Sequence, residues 1–269
     1  MKIAICIHGL SSGVSSKSKK EVDTIDCFKA LKKNLELQNN ADFDYFFHSW
    51  SHKDNDKIIN EIKPKNYFFE NHIEFHKNNF LDYLKHLRRK YFFNMDQPKR
   101  KNNTISRWYS LKHSIRAMNI YSNENSISYD FVVITRFDAF LLSKYRIQDL
   151  DNTNFYASKW KRFYDLNGKE IDEKKINLKN VYKKGLKGFP EDDEGIHDFI
   201  FICNQANATK FSNCYDNLNK HFKEVGVSSH KVALNQLIKL DLLDKLNFYN
   251  DFVNDINLAR WIEPRDNQK

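Results

Sequence analysis

Apolar residues in this chain come in short unbroken blocks, separated by segments whose apolar positions fall three and four apart. The first block, "KIAICIH" (residues 2–8), is continuous and rich in β-branched residues, the pattern of a strand covered on both faces in a parallel sheet. The Gly/Ser/Lys segment "GLSSGVSSKSKK" reads as loop. "EVDTIDCFKALKKNLELQ" then sets Val22, Ile25, Phe28, Leu31 and Leu35 on one helical face. "ADFDYFFHSW" (41–50) and "KNYFFE" (65–70) read as the second and third strands, with "KDNDKIINEIK" as a helix between them. Such alternation predicts an α/β fold with a mixed, mostly parallel, Rossmann-like sheet flanked by helices.

From about residue 72 to 103 the alternation stops, and aromatic and basic residues crowd into "FHKNNFLDYLKHLRRKYFFNMDQPKRKNN", read as a helical excursion. Thr104 is positioned to cap a helix whose apolar face is Ile105, Trp108, Leu111, Ile115 and Met118. A second line on that helix, Ser106, Ser110, Ser114 and Ala117, is small enough to let a backbone or a ligand come close. "YDFVVITRFDAF" (129–140) follows as the fourth strand, and "TNFYAS" as another. A polar stretch of about 159–195 reads as a loop-rich insertion. "IHDFIFICN" returns to strand, two helices follow ("QANATKFSNCYDNLNKHFKEVG" and "SSHKVALNQLIKLDLLDKL"), and "NFYNDF" closes as a strand. With no internal repeat or convincing linker, residues 1–269 read as one domain.

Composition adds bounds rather than a function. The 44 Lys and Arg against 35 Asp and Glu give +9, which favours anionic partners: nucleic acid, a nucleoside diphosphate or an anionic membrane surface. Cys6, Cys27, Cys203 and Cys214 form no CxxC pair, the usage of a reducing cytosol. The N-terminal apolar run is too short for a secretory leader, and no run approaches the ~20 apolar residues of a membrane span, so a cytoplasmic protein is expected.

The candidate chemistry gathers at the end of the fourth strand, where the four apolar residues Phe131–Ile134 and then Thr135 lead into Arg136-Phe137-Asp138. Such a step is either a salt bridge closing a strand or the rim of an anion site. His8 and Gly9 end the first strand, where a missing Cβ lets a ligand approach the backbone. His48 with His52 and His72 with His76 are spaced four apart, but neither pair has the glutamate of a hydrolytic zinc helix, and zinc is not expected.

The order of these pieces resembles the GT-A glycosyltransferase class, and more narrowly bacterial and large-virus polysaccharide (capsule, O-antigen) glycosyltransferases. The resemblance is carried by "MKIAICIHGL", by "FFHSW", by "SRWYSLKHSIRA" about twenty residues before the fourth strand, and by "YDFVVITRFDAF", with "HDFIFICN" and "SSHKVALNQLI" as looser pieces. It implies a nucleotide-sugar donor over the carboxyl ends of the strands, contacted by His8, Gly9, Arg107, Lys112, Arg136 and Asp138. It implies Mn²⁺ or Mg²⁺ at Asp138, with His230 as a further contact, and a glycan or lipid-linked acceptor in surface polysaccharide synthesis, met in the cytoplasm or at an anionic inner membrane face. The class carries Asp-x-Asp where this chain has Arg-x-Asp, so one carboxylate is missing. If the reaction inverts the anomeric centre, a base must take the acceptor's proton. Within "PEDDEGIHD", Asp198 is preferred because desolvation at a strand start would raise its basicity, with Asp193 second. Two other readings stand beside this one. A nucleic-acid-binding protein could use the basic and aromatic segment 85–103, although it shows no RNP, KH or zinc-finger pattern, and a GT-A-like domain could lack catalysis.

Overall fold

Alternate residues of the first strand face opposite sides, and both sides are buried. In β1 (Lys2–Gly9), Ile3, Ile5 and Ile7 point into one apolar cluster while Ala4 and Cys6 point into another. The same division runs through β4 (Phe131–Arg136), where Phe131 and Val133 oppose Val132 and Ile134. A strand covered on both faces has no position left for a polar residue, which is why these runs are unbroken. The computed structural model describes residues 1–12, 24–51, 54–75, 84, 97–159, 195–251 and 254–259.

One cluster is covered by α1 (Thr24–Asn34) through Phe28 and Leu31, and by α2 (Asn55–Ile62) through Ile58 and Ile62. The other is covered by α3 (Gln97–Glu124), which inserts Trp108, Leu111, Ile115 and Met118. Between them lie β1, β2 (Asp42–Ser49), β3 (Asn66–Phe69), β4, β6 (Phe155–Lys159), β7 (His197–Cys203) and β8 (Leu246–Asp251), in the order β3-β2-β1-β4-β7-β6-β8. Strands β1 to β4 pair in parallel, and β7 runs antiparallel to both β4 and β6. The expected α/β class, with a mixed and mostly parallel sheet flanked by helices, is therefore the observed one.

The reversal at β7 positions the site. Val132 pairs with Cys203 and Thr135 with Ile200, so the first residues of β7 lie beside the last residues of β4. A parallel strand would have put its far end there.

Several boundaries differ from the sequence reading. Thr104 is not a cap: α3 begins at Gln97, and the Thr104 hydroxyl donates to Val227 O at 2.8 Å. Residues 97–103 of the excursion are thus the first turns of α3, while 76–83 and 85–96 lie outside the described residues, as do 160–194 of the insertion. The single helix expected after β7 is two, α4 (Gln205–Ser212) and α5 (Leu218–Val225), joined by a 3₁₀ turn at Tyr215–Asn217. α6 (Ser229–Lys239) stops short of Asp241, which has φ 55°. A ribbon of β5 (Ala139–Leu141) and β9 (Ile256–Leu258), too short to read from sequence, lies on the α1 side.

Candidate functional site

The corner after β4 is held by its own charges. Arg136 Nε and Nη2 donate to the two carboxylate oxygens of Asp138, each at 2.7 Å, a bidentate pair between side chains on the same side of a strand end. The Arg136 guanidinium carbon lies 5.2 Å from the centre of the Phe199 ring on β7. Phe137 N donates to His8 O at 3.3 Å and Ala259 N to Asp138 O at 2.9 Å, so the turn is pinned from both sides. The corner is not sealed, since the Arg136 and Asp138 side chains keep 20% and 12% of their surface exposed.

A second ion pair stands behind it. Arg107, from α3, donates through Nη2 to the backbone carbonyl of Asp198 and pairs through Nη1 with its carboxylate. His230, at the start of α6, has Nδ1 3.3 Å from Asp198 Oδ1 and 3.2 Å from Ile196 O. Ile196 N in turn donates to His230 O, and Gly195, at φ +99°, leaves no room for a Cβ against that same carbonyl. The glycine is required there twice, for its dihedral and for the close approach of α6.

The electrostatics follow from the packing. Burial lowers His8 far below 6.5, aided by Arg107 and Arg136; burial likewise lowers His197 far, aided by His230, and lowers His230. These imidazoles are neutral at pH 7. Arg107 is lowered by burial to about 10, yet remains a cation, and Arg136 is raised because Asp138 outweighs its burial. Burial would raise Asp198, as the sequence reading expected, but the Arg107 guanidinium in contact with it foremost, with Arg136, holds it well below the usual carboxylate range. The expectation of a more basic Asp198 is therefore corrected: desolvation is outweighed by a guanidinium in contact.

At the tip of β1, Gly9 has φ +114°, and a Cβ there would meet nothing within 4 Å. Its N–H donates to Ser110 Oγ at 2.8 Å and its carbonyl accepts from Trp50 N at 3.0 Å. Both backbone groups are committed, so Gly9 shapes the rim by its dihedral and its open side rather than by an amide offered to an anion. Ser110 Oγ also lies 2.8 Å from His48 Nδ1. The small stripe on α3 is thus the face on which the helix meets the backbones of β1 and β2, and Ser110 and Ser114 are fully buried there.

Beyond Gly9, two hydroxyl pairs tie the segment after β1 to the end of β2 and the residues past it: Ser11 with Ser49 at 2.5 Å and Ser12 with Ser51 at 2.7 Å. Sequence reasoning missed these and also missed His197 and Phe199. The only signal for the serines was their recurrence at or just past each strand end.

Of the residues expected to meet the donor, His8, Gly9, Arg107, Arg136 and Asp138 converge here, joined by Asp198 and His230. His8 stands in register with Arg136 on one side and His48 on the other. Lys112 does not join them: its ammonium holds both carboxylate oxygens of Asp216, at 2.6 and 2.7 Å, on the far flank of α3. Asp193, with Glu191, Asp192 and Glu194, lies outside the described residues, as do His52 and His76.

The described residues do not fit a divalent metal. Both oxygens of Asp138 are turned to Arg136, Asp198 is turned to Arg107, and no group of three or more His, Cys, Asp or Glu side chains among the described residues could surround an ion.

No protein-family model matches the chain, and no curated protein matches it in sequence. Similar solved structures include the nucleoside-diphosphate-sugar pyrophosphorylase from Vibrio cholerae RC9, with a TM-score of 0.46 and 9% identity over 96% of this chain and 95% of that one. Galactosyltransferase LgtC, solved with donor and acceptor sugar analogs, aligns with a TM-score of 0.44 and 12% identity over 93% of this chain and 73% of its own. The bifunctional glycosyltransferase WbbM, in its apo form, aligns at 0.42 and 12% over 92% of this chain and 38% of that one. Likenesses this distant carry no argument for a shared activity.

Proposed function

We propose that this chain is a GT-A-like glycosyltransferase that binds a nucleoside-diphosphate sugar at the Arg136–Asp138 corner and passes the sugar to a hydroxyl of a glycan or glycolipid. One observation carries the reading: Arg107, Arg136, Asp138 and Asp198, supplied by α3, β4 and β7, meet at the carboxyl ends of β1 and β4 beside a glycine whose side faces open space. Open α/β sheets bind ligands in the crevice at that end of their strands. Two guanidinium groups set on opposed secondary structures suit a diphosphate, whose negative charge grows as the bond between anomeric carbon and phosphate oxygen breaks.

In this reading Asp198 holds Arg107 and His230 in place. A carboxylate kept so acidic by ion pairing is a poor proton acceptor, so the acceptor hydroxyl gives its proton to another group if the reaction inverts. Asp193 is the remaining sequence candidate. The basic surface expressed in the +9 charge would suit a lipid-linked acceptor at an anionic membrane face in surface polysaccharide synthesis. Among the described residues no helix is long and apolar enough to cross a membrane.

A thermal-shift screen of nucleoside diphosphates and nucleotide sugars tests the proposal. A true donor present at a hundredfold excess over its dissociation constant adds about 2.7 kcal/mol, or roughly 5–10 °C. If no nucleoside diphosphate or nucleotide sugar raises the melting temperature, with or without Mn²⁺, the transferase reading fails.

A further inference from the structure

We propose that Arg136 is the resident cation of this anion site, so that the chain grips a diphosphate without a divalent metal. The inference rests on reading the corner as a diphosphate site, and adds how the charge of that ligand is met.

Three features of the corner lead to it. The first is occupancy. A divalent ion would have to take Asp138 from a guanidinium that sits two residues away on the same strand end and contacts both oxygens at 2.7 Å. That competitor is tethered, always present and geometrically matched to a carboxylate. The second is the lack of help among the described residues. Among the described residues Asp198 is the neighbouring carboxylate, and its charge is spent on Arg107, with His230 3.3 Å away on the other oxygen. Hard cations accept few protein ligands when phosphates and water complete the shell, but they need at least one carboxylate that faces them.

The third feature is what Arg136 has left to offer. Its Nε and Nη2 face Asp138, while Nη1 makes no hydrogen bond among the described residues, and a fifth of the side chain is exposed. A guanidinium carries five N–H donors around a planar fork, so it can hold a carboxylate on one edge and a phosphate oxygen on another. The ring of Phe199 beneath it fixes the plane. Asp138 is then a positioning residue: it aims Arg136, as Asp198 aims Arg107. The Arg-x-Asp step thus sets a fixed cation and the carboxylate that aims it two residues apart at the same strand end.

The test is calorimetric titration of uridine, guanosine, cytidine and thymidine diphosphates into chelator-treated protein, repeated in excess Mn²⁺. The expected result is binding of one of them in both buffers, with affinities within about threefold. Arg136→Met is expected to weaken metal-free binding about tenfold or more, the worth of one charge-assisted hydrogen bond. Mn²⁺ should not restore it. Asp138→Asn should weaken binding less than Arg136→Met, because it disturbs the aim of the cation and leaves the cation in place. Should Arg136→Met not fold, Arg136→Lys and the wild-type metal comparison decide the matter. Binding that appears only with Mn²⁺ overturns the inference and leaves the transferase reading standing. Restored or tighter binding by Arg136→Met in Mn²⁺ also overturns it, since that would reveal Asp138 as a metal ligand. Binding in neither buffer overturns the diphosphate site itself, and this inference with it.

Discussion

The histidines packed around the site make stability sensitive to mild acid, and the size of the effect follows from how they are buried. His8 and His197 are held far below 6.5 and His48 is lowered to about 4, in each case first by burial. An unfolded imidazole takes up its proton near 6.5, so below that pH the unfolded chain binds protons that the folded chain refuses. Stability is therefore complete above pH 6.5 and drains as pH falls, the sign expected for a group whose folded pKa is depressed. Each such histidine loses about 1.4 kcal/mol by about pH 5.5, or roughly 4 kcal/mol for the three together. In a chain of this size that corresponds to a drop of about 8–16 °C in Tm. Asp198 adds nothing over the interval, because Arg107 in contact holds it well below the usual carboxylate range. Melting curves at about pH 7.5, 6.5 and 5.5, at constant ionic strength, measure it. His48→Asn keeps a polar group near Ser110 and removes the proton site, so it should remove about 1.4 kcal/mol of the loss between about pH 7.5 and 5.5. A Tm that is level across the interval, or a profile that His48→Asn leaves unchanged, refutes the account of these imidazoles as buried and neutral.

Further expectations concern single contacts. Asp198→Asn and Arg107→Met should each cost about 3–5 kcal/mol in urea unfolding because each strands a buried charge, while the double variant should cost far less than their sum; additive losses would mean that the two groups are not paired. The Asp198→Asn protein should also lack the part of the acid transition that lies below the ordinary carboxylate range, since the ion pair stabilises above that range and is lost as pH falls through the depressed pKa. Gly9→Ala should cost only the strain of its positive φ, about 1–2 kcal/mol, whereas Gly195→Ala adds a collision with the backbone of His230 and should be several-fold worse. Comparable losses at the two glycines would argue against the tight seat of α6. Ser110→Ala removes the acceptor of Gly9 N–H and the partner of His48 Nδ1, so a loss of about 2 kcal/mol is expected in denaturant melts, and an unchanged midpoint would show that neither bond counts.

The strands were legible because each is an uninterrupted apolar block. "KIAICIH" and "FVVIT" read as core strands, and their ends pointed to His8, Gly9, Arg136 and Asp138 as rim residues. Helical periodicity likewise found the inward face of α3, whose Trp108, Leu111 and Ile115 are buried. It failed at Thr104, a good capping residue that the helix runs straight through, because Val227 offers its hydroxyl a partner elsewhere. It failed also at Lys112, whose helical position is indistinguishable in sequence from that of a ligand-facing charge until Asp216 is found opposite.

Local pattern thus determined which segments become strands and helices and which strand ends carry polar chemistry, because burial on two faces imposes a periodicity that can be counted along the chain. Which charges neutralise which was decided only in three dimensions. The antiparallel course of β7 brings Asp198 beside β4, where Arg107 reaches it from α3 across 91 positions of sequence. That contact turns a carboxylate expected to be basic into a strongly acidic one. A pKa depends on distances of a few ångströms between charges, and no spacing along a chain encodes such distances until the sheet has set its order and direction.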